Sequence, residues 1–175
     1  RDRNNSLKKG NYVNVYLIGE LYQYKECLNI GILTASDRAS KGIYEDISGN
    51  KIETFLKNNV LNEYETHYFL VPDNLHKIEE KLKYMTDNLC CNLILTTGGT
   101  GPDIKDVTDI ATTNVCHKLL PGFGEIMRNK NFETVPTSIL SAQVAGIRYF
   151  HQTVGSLIIN LPGKPDAIKE CLDII

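Results

Sequence analysis

At 175 residues the chain is long enough for one domain with a real core, because a fold of about 150 residues buries roughly 70% of its unfolded surface. Hydrophobic residues make up 42%, charged residues 23%, and the net charge is −2, which lacks the basic excess of a nucleic-acid binder. No apolar run reaches the ~20 residues that span a bilayer, so composition points away from membranes and toward a cytoplasmic protein.

The start, "RDRNNSLKKGNYVNVYLIGELYQYKE", is basic and then mixed. We read residues 1–28 as an N-terminal extension, since "VNVYLIGELY" is too short and too polar for a signal core. A tail or an edge strand is expected, and a remnant of organelle targeting is the other reading. The five cysteines are odd in number and show no C-x-x-C spacing, which suits small apolar side chains in a reduced protein.

"LNIGILTAS" (28–36) reads as a buried parallel strand. "SGNKIETFLKNNV" (48–60) reads as a helix, with Ser48 as its expected N-cap. "THYFLV" (66–71) is a second strand. "NLHKIEEKLKYMTDNL" (74–89) places Leu75, Ile78, Leu82, Met85 and Leu89 at steps of three and four, an amphipathic helix. "NLILTT" (92–97) is a third strand. Thr108 is the expected cap of a helix running to about Lys118. "PGFGEIMRN" (121–129) turns into a helix, and "TSILSAQVAGIRYF" (137–150) reads as another. "SLIINL" (156–161) is a strand, and "PGKPDAIKECLDII" (162–175) turns into a helix with Pro165 near its start. Strands alternate with helices, so the fold class is α/β with a mainly parallel sheet.

In an open α/β sheet, ligands bind beyond the carboxyl ends of the strands. There the sequence places "SDRASKG", with Ser36 and Asp37; "PDN", with Asp73; "GGTGPDIKD", with Asp103 and Asp106; and "PGKP", preceded by Asn160. Glycines at 98, 99 and 101 allow positive φ and close approach, so backbone N–H groups there can line an anion site. The spacing is neither a P-loop nor G-x-G-x-x-G. Two carboxylates beside bound phosphates suggest a hydrated Mg²⁺ on Asp73 and Asp106. The plain alternatives are a helix-start carboxylate for Asp106, a turn residue for Asp73, and an Asx-turn for Asp37. Arg38, Lys41 and Lys105 are ordinarily surface cations and matter only because such a cleft needs positive charge.

Taken together, "TTGGTGPDIKDVT", "PGFGEIMR", "TSILSAQVAGIR" and "IINLPGKP", in this order, resemble the molybdopterin adenylyltransferases of molybdenum-cofactor synthesis, of the MogA type and of the G domain of gephyrin. "GILTASDRASKGIYEDISG" resembles their first strand and loop. The similarity covers residues 29–175. It implies a three-layer α/β sandwich that forms homotrimers. It implies transfer of an adenylyl group from ATP to molybdopterin with Mg²⁺, and hand-over of the product to a molybdenum-insertion protein. By resemblance, Asp73 and Asp106 are the essential, metal-holding acids. Gly98, Gly99, Thr100 and Gly101 form the substrate loop, joined by Ser36, Asp37, Pro121, Gly122, Ser141, Pro162 and Gly163. The family's "DVTP" is here "DVTDI", with Asp109 and Ile110. The competing reading is a non-catalytic pterin- or nucleotide-binding scaffold of the same fold.

Overall fold

The computed structural model describes residues 27–152 and 154–175. The tail or edge strand expected within residues 1–28 therefore falls almost wholly outside the described residues. The chain builds β1 (Cys27–Ala35), α1 (Asp37–Ser40), α2 (Ile47–Asn59), β2 (Glu63–Val71) and α3 (Leu75–Asp87). It continues through β3 (Leu93–Thr97), α4 (Thr108–Val115), β4 (Lys118–Leu119) and α5 (Pro121–Phe132). A 3-10 helix (Pro136–Leu140), β5 (Ala145–Tyr149), β6 (Gly155–Leu161) and α6 (Pro165–Ile174) complete it.

The six strands form one sheet in the order β2-β1-β3-β6-β5-β4. The first four are parallel, with Ile32 level with Tyr68 on one side and Leu95 on the other. β5 runs antiparallel to β6 and β4. Strand side chains alternate between faces, so a sheet buried on both sides needs apolar residues at nearly every position. On one face Ile30, Ile32, Leu95 and Ile159 pack against Ile52 and Leu56 of α2, Met127 of α5 and Ile168 of α6. On the other, Leu33, Ile94 and Ile158 pack against Ile78, Leu82 and Met85 of α3 and Val115 of α4. Each fully buried side chain of this kind contributes roughly 1.5–3 kcal/mol. The result is the three-layer α/β arrangement, with the sheet in the middle.

Three local expectations are corrected. Residues 137–150 are not a helix: they form the end of the 3-10 helix, an extended link and β5. The cause is tertiary. Arg128 of α5 donates Nη1–H to the carbonyls of Ser141 and Gln143, and the Ala142 amide donates to Thr100 O, so these backbone groups are not spent within a helix. Asp46, not Ser48, caps α2 by accepting from the Gly49 amide. Ser48 lies inside the helix and donates its hydroxyl to Gly163 O. Thr108 is the first residue of α4, whose N-cap is Val107, and the helix ends at Val115.

Candidate active site

The parallel strands end side by side, and their loops meet. Gly98 and Gly99 follow β3 with φ of +88° and +62°, the left-handed region that favours glycine. A Cβ on Gly98 would collide with the carbonyl oxygen of Ala35 at the end of β1. One on Gly99 would collide with the Thr108 hydroxyl and lie 3.5 Å from Asp73 Oδ1. The glycines thus let the β3 loop cross the end of β1 and lie beside Asp73. The loop closes where the Thr108 amide donates to Gly99 O at 3.0 Å, which joins it to the start of α4.

Asp73 and Asp37 hold each other. The Asp37 amide donates to Asp73 Oδ2 at 2.8 Å, and the Asp73 amide donates to Asp37 Oδ1 at 3.2 Å. Burial raises the Asp73 carboxyl above its ordinary value; the Asp37 amide opposes this, while the charges of Asp37 and Asp106 add to it and Lys105 counters them. Asp106 lies across the loop from Gly101 and accepts from the Asp103 amide through Oδ2 at 3.1 Å. Burial likewise raises Asp109, and the Asp106 charge adds to it. Thr108 is fully buried, and its hydroxyl has no hydrogen-bond partner.

The other expected residues fall into two groups. Ser36 starts α1, accepting from the Ala39 amide, and its hydroxyl pairs with Tyr44 Oη at 2.9 Å. Pro162 O accepts from Thr97 Oγ1 at 2.8 Å, and Gly163 lies against the Cα of Gly98. Thr100 is buried, and its carbonyl receives the amide after Ser141. These therefore share one place with Asp37, Asp73, Asp106 and the glycines. Pro121 and Gly122 form the second group: they start α5 after β4, the strand at the far edge of the sheet. There they line a groove of about 490 Å³ with Leu120, Phe123, Ile126, Ile174 and Ile175.

Sequence reasoning missed the bolt beneath the loop. Asn160 of β6 is fully buried and donates Nδ2–H to the hydroxyls of Thr96 and Thr112, both at 2.8 Å. It joins the strand before the glycine loop to the helix after it. Asn160 stood out only as the residue before "LPGKP", and nothing local marks Thr112 as its partner.

Residues 31–175 match the family model described as "Probable molybdopterin binding domain". The chain is 53% identical over 150 residues to the molybdopterin adenylyltransferase of Helicobacter pylori, covering 86% of this chain and 82% of that protein. It is 44% identical over 146 residues to the molybdopterin adenylyltransferase of Escherichia coli, covering 83% and 72%. Its fold matches the crystal structure of the molybdopterin biosynthesis enzyme MoaB of Thermus thermophilus with a TM-score of 0.73 at 35% identity, over 84% of this chain and 88% of that one. A family model that spans most of the chain, relatives of this identity and the shared fold agree: the chain belongs to the molybdopterin-binding domain family.

Proposed function

We propose that residues 29–175 form a molybdopterin adenylyltransferase domain, which transfers the adenylyl group of ATP to molybdopterin and releases pyrophosphate. The observation that carries this reading is the convergence of a left-handed glycine loop with Asp73 and Asp106 at the carboxyl end of the sheet. In the reaction, a terminal phosphate oxygen of molybdopterin attacks the α-phosphorus of ATP. The new P–O bond forms as the bond to the β-phosphate oxygen breaks, and pyrophosphate leaves. No covalent nucleophile is required of the protein. Its task is to align two anions and stabilise the charge that develops.

Each group has a place in that task. The Gly98–Gly101 backbone would offer N–H groups to phosphate. Asp37 holds Asp73 through the paired backbone bonds described above. Ser36, Ser141, Pro162 and Gly163 border the same cleft, and Pro121 and Gly122 are assigned to substrate by the resemblance alone. The donor set fits Mg²⁺. Among the described residues no group of three or more His, Cys, Asp or Glu is placed to hold a metal. Mg²⁺ typically uses one or two carboxylates and takes its remaining ligands from water and substrate phosphate. Asp73 and Asp106 would hold it, and when bound it supplies neutralisation of phosphate charge. A homotrimer and hand-over of adenylylated molybdopterin to a molybdenum-insertion protein complete the proposal. Among the described residues no helix is long and apolar enough to cross a membrane.

Mixing the protein with molybdopterin and Mg-ATP tests the reading. Pyrophosphate release that requires both substrates is expected. Pterin binding without pyrophosphate would overturn the enzyme and leave the scaffold.

A further inference from the structure

Beyond the cleft residues, one carboxylate ties the cleft's outer wall to the sheet. Asp46 is half-buried where β1, β2 and α2 meet. Its Oδ2 accepts from Thr34 Oγ1 of β1 and from Tyr68 Oη of β2, each at 2.6 Å. Its Oδ1 accepts from the Gly49 amide at 3.1 Å. The fit is close: a Cβ on Gly49 would meet the Asp46 carboxylate, the Tyr68 ring and the Thr34 hydroxyl together. A helix cap needs only the Oδ1 bond. The second oxygen is used differently, to hold two strands by short, charge-assisted bonds.

The consequence follows from chain path. The chain leaves β1 at Ala35 and passes Ser36 and Asp37 before reaching Asp46, whose carboxylate returns to Thr34, so both ends of segment 36–46 are anchored at one point. Within it, Ser36 pairs with Tyr44, the Ile43 amide donates to Arg38 O at 3.0 Å, and the Arg38 guanidinium lies 5.2 Å from the centre of the Tyr44 ring. Asp37 projects from this closed segment into its reciprocal bonds with Asp73. On the other side, α2 is set so that Ser48 reaches Gly163 O, beside Gly98.

We propose that Asp46 is a positioning residue of the candidate active site: by closing segment 36–46 onto β1 and β2 it sets Asp37, and through Asp37 the carboxylate of Asp73. Its kinetic consequence rests on the adenylyltransferase reading; its structural consequence does not.

Three variants of the full chain test this. Asp46→Ala removes all three bonds. Tyr68→Phe removes one hydroxyl and keeps the ring. Asp46→Asn keeps the cap and turns an NH₂ group toward two hydroxyls that can accept. Amide exchange at Asp37 and Asp73, read by NMR without substrates, should accelerate about tenfold in Asp46→Ala and by about threefold in Tyr68→Phe, and stay within about twofold of wild type in Asp46→Asn. In pyrophosphate release, Asp46→Ala should lose about tenfold or more in kcat, with KM for molybdopterin within about twofold. Unchanged exchange at both amides in a folded Asp46→Ala overturns the proposal. If Asp46→Ala does not fold, unchanged exchange in Tyr68→Phe does the same. A raised KM at wild-type kcat also overturns it, since that marks a binding contact. If the wild-type protein releases no pyrophosphate, the adenylyltransferase reading fails by itself, and the exchange arm still decides the role of Asp46.

Discussion

Asp106 is the residue at which catalytic and merely structural readings separate. It sits across the loop from Gly101 and accepts from the Asp103 amide, as a turn-forming carboxylate would. Its charge also acts on Asp73 and Asp109, as expected of an acid facing a shared cleft. Asp106→Asn keeps the shape and removes the charge. If the side chain only shapes the turn, Asn serves nearly as well, at a cost of a few tenths of a kcal/mol. If it holds a metal on the reacting phosphates, losing roughly 3–4 kcal/mol of transition-state stabilisation lowers kcat at least about a hundredfold. We expect a folded, pterin-binding, nearly inactive variant. Pyrophosphate release within a fewfold of wild type at saturating Mg-ATP would leave only the structural role. At this scale the sequence was read correctly where the residue type itself limits the backbone: Gly98 and Gly99 take the positive φ that glycine allows. It was misread at Ser48, which is as good a cap by type as Asp46. What decides between them is the Thr34 and Tyr68 hydroxyls, which come from two strands.

The elements were legible where burial repeats along the chain. The stripe of Ile78, Leu82 and Met85 in α3 is fully buried, as a period of three and four requires. The parallel strands announced themselves as apolar runs because both of their faces are covered. The stretch 137–150 misled because Leu140, Val144 and Ile147 also fall at steps of four and three. Bonds from Arg128 and to Thr100, remote in sequence, assign that backbone to an extended path. The buried Asn160 is the converse case, a contact between elements with no local sign. It uses both amide hydrogens on Thr96 and Thr112, so it fixes β3 and α4 on either side of the glycine loop. Thr112→Val keeps the volume and leaves one buried N–H unpaired, at an expected cost of about 1–3 kcal/mol. Thr113→Val, on the exposed face of the same helix, should stay within about 0.5 kcal/mol of wild type. Urea unfolding of the two variants checks this. Equal midpoints would mean that Asn160 is not the bolt we describe.

At the scale of the whole molecule, the sheet's parallel half was readable and its antiparallel edge was not. β4 is two exposed residues, and β5 carries Gly146 and Arg148, so neither shows the apolar run of a central strand. The segment that joins these two strands also exposes large apolar side chains. Phe132, Val135, Ile139 and Leu140, from the end of α5 and the 3-10 helix, are exposed by 50%, 44%, 66% and 56%. Four large apolar side chains within nine positions of one another are more than the scattered singles a monomer ordinarily shows. The resemblance to the adenylyltransferases implies a homotrimer, and a closed assembly of identical copies would cover such a face. We therefore expect light scattering at micromolar concentration to give three times the 19.7 kDa mass of the chain. Leu140→Glu, which places a charge in that face without touching the buried core, should shift the mass toward the single chain. The face adjoins Ser141 and Ala142, which lead to Thr100, so loss of assembly should also weaken pterin binding. A monomer mass for the wild-type chain would overturn the trimer. A trimeric Leu140→Glu would move the interface elsewhere.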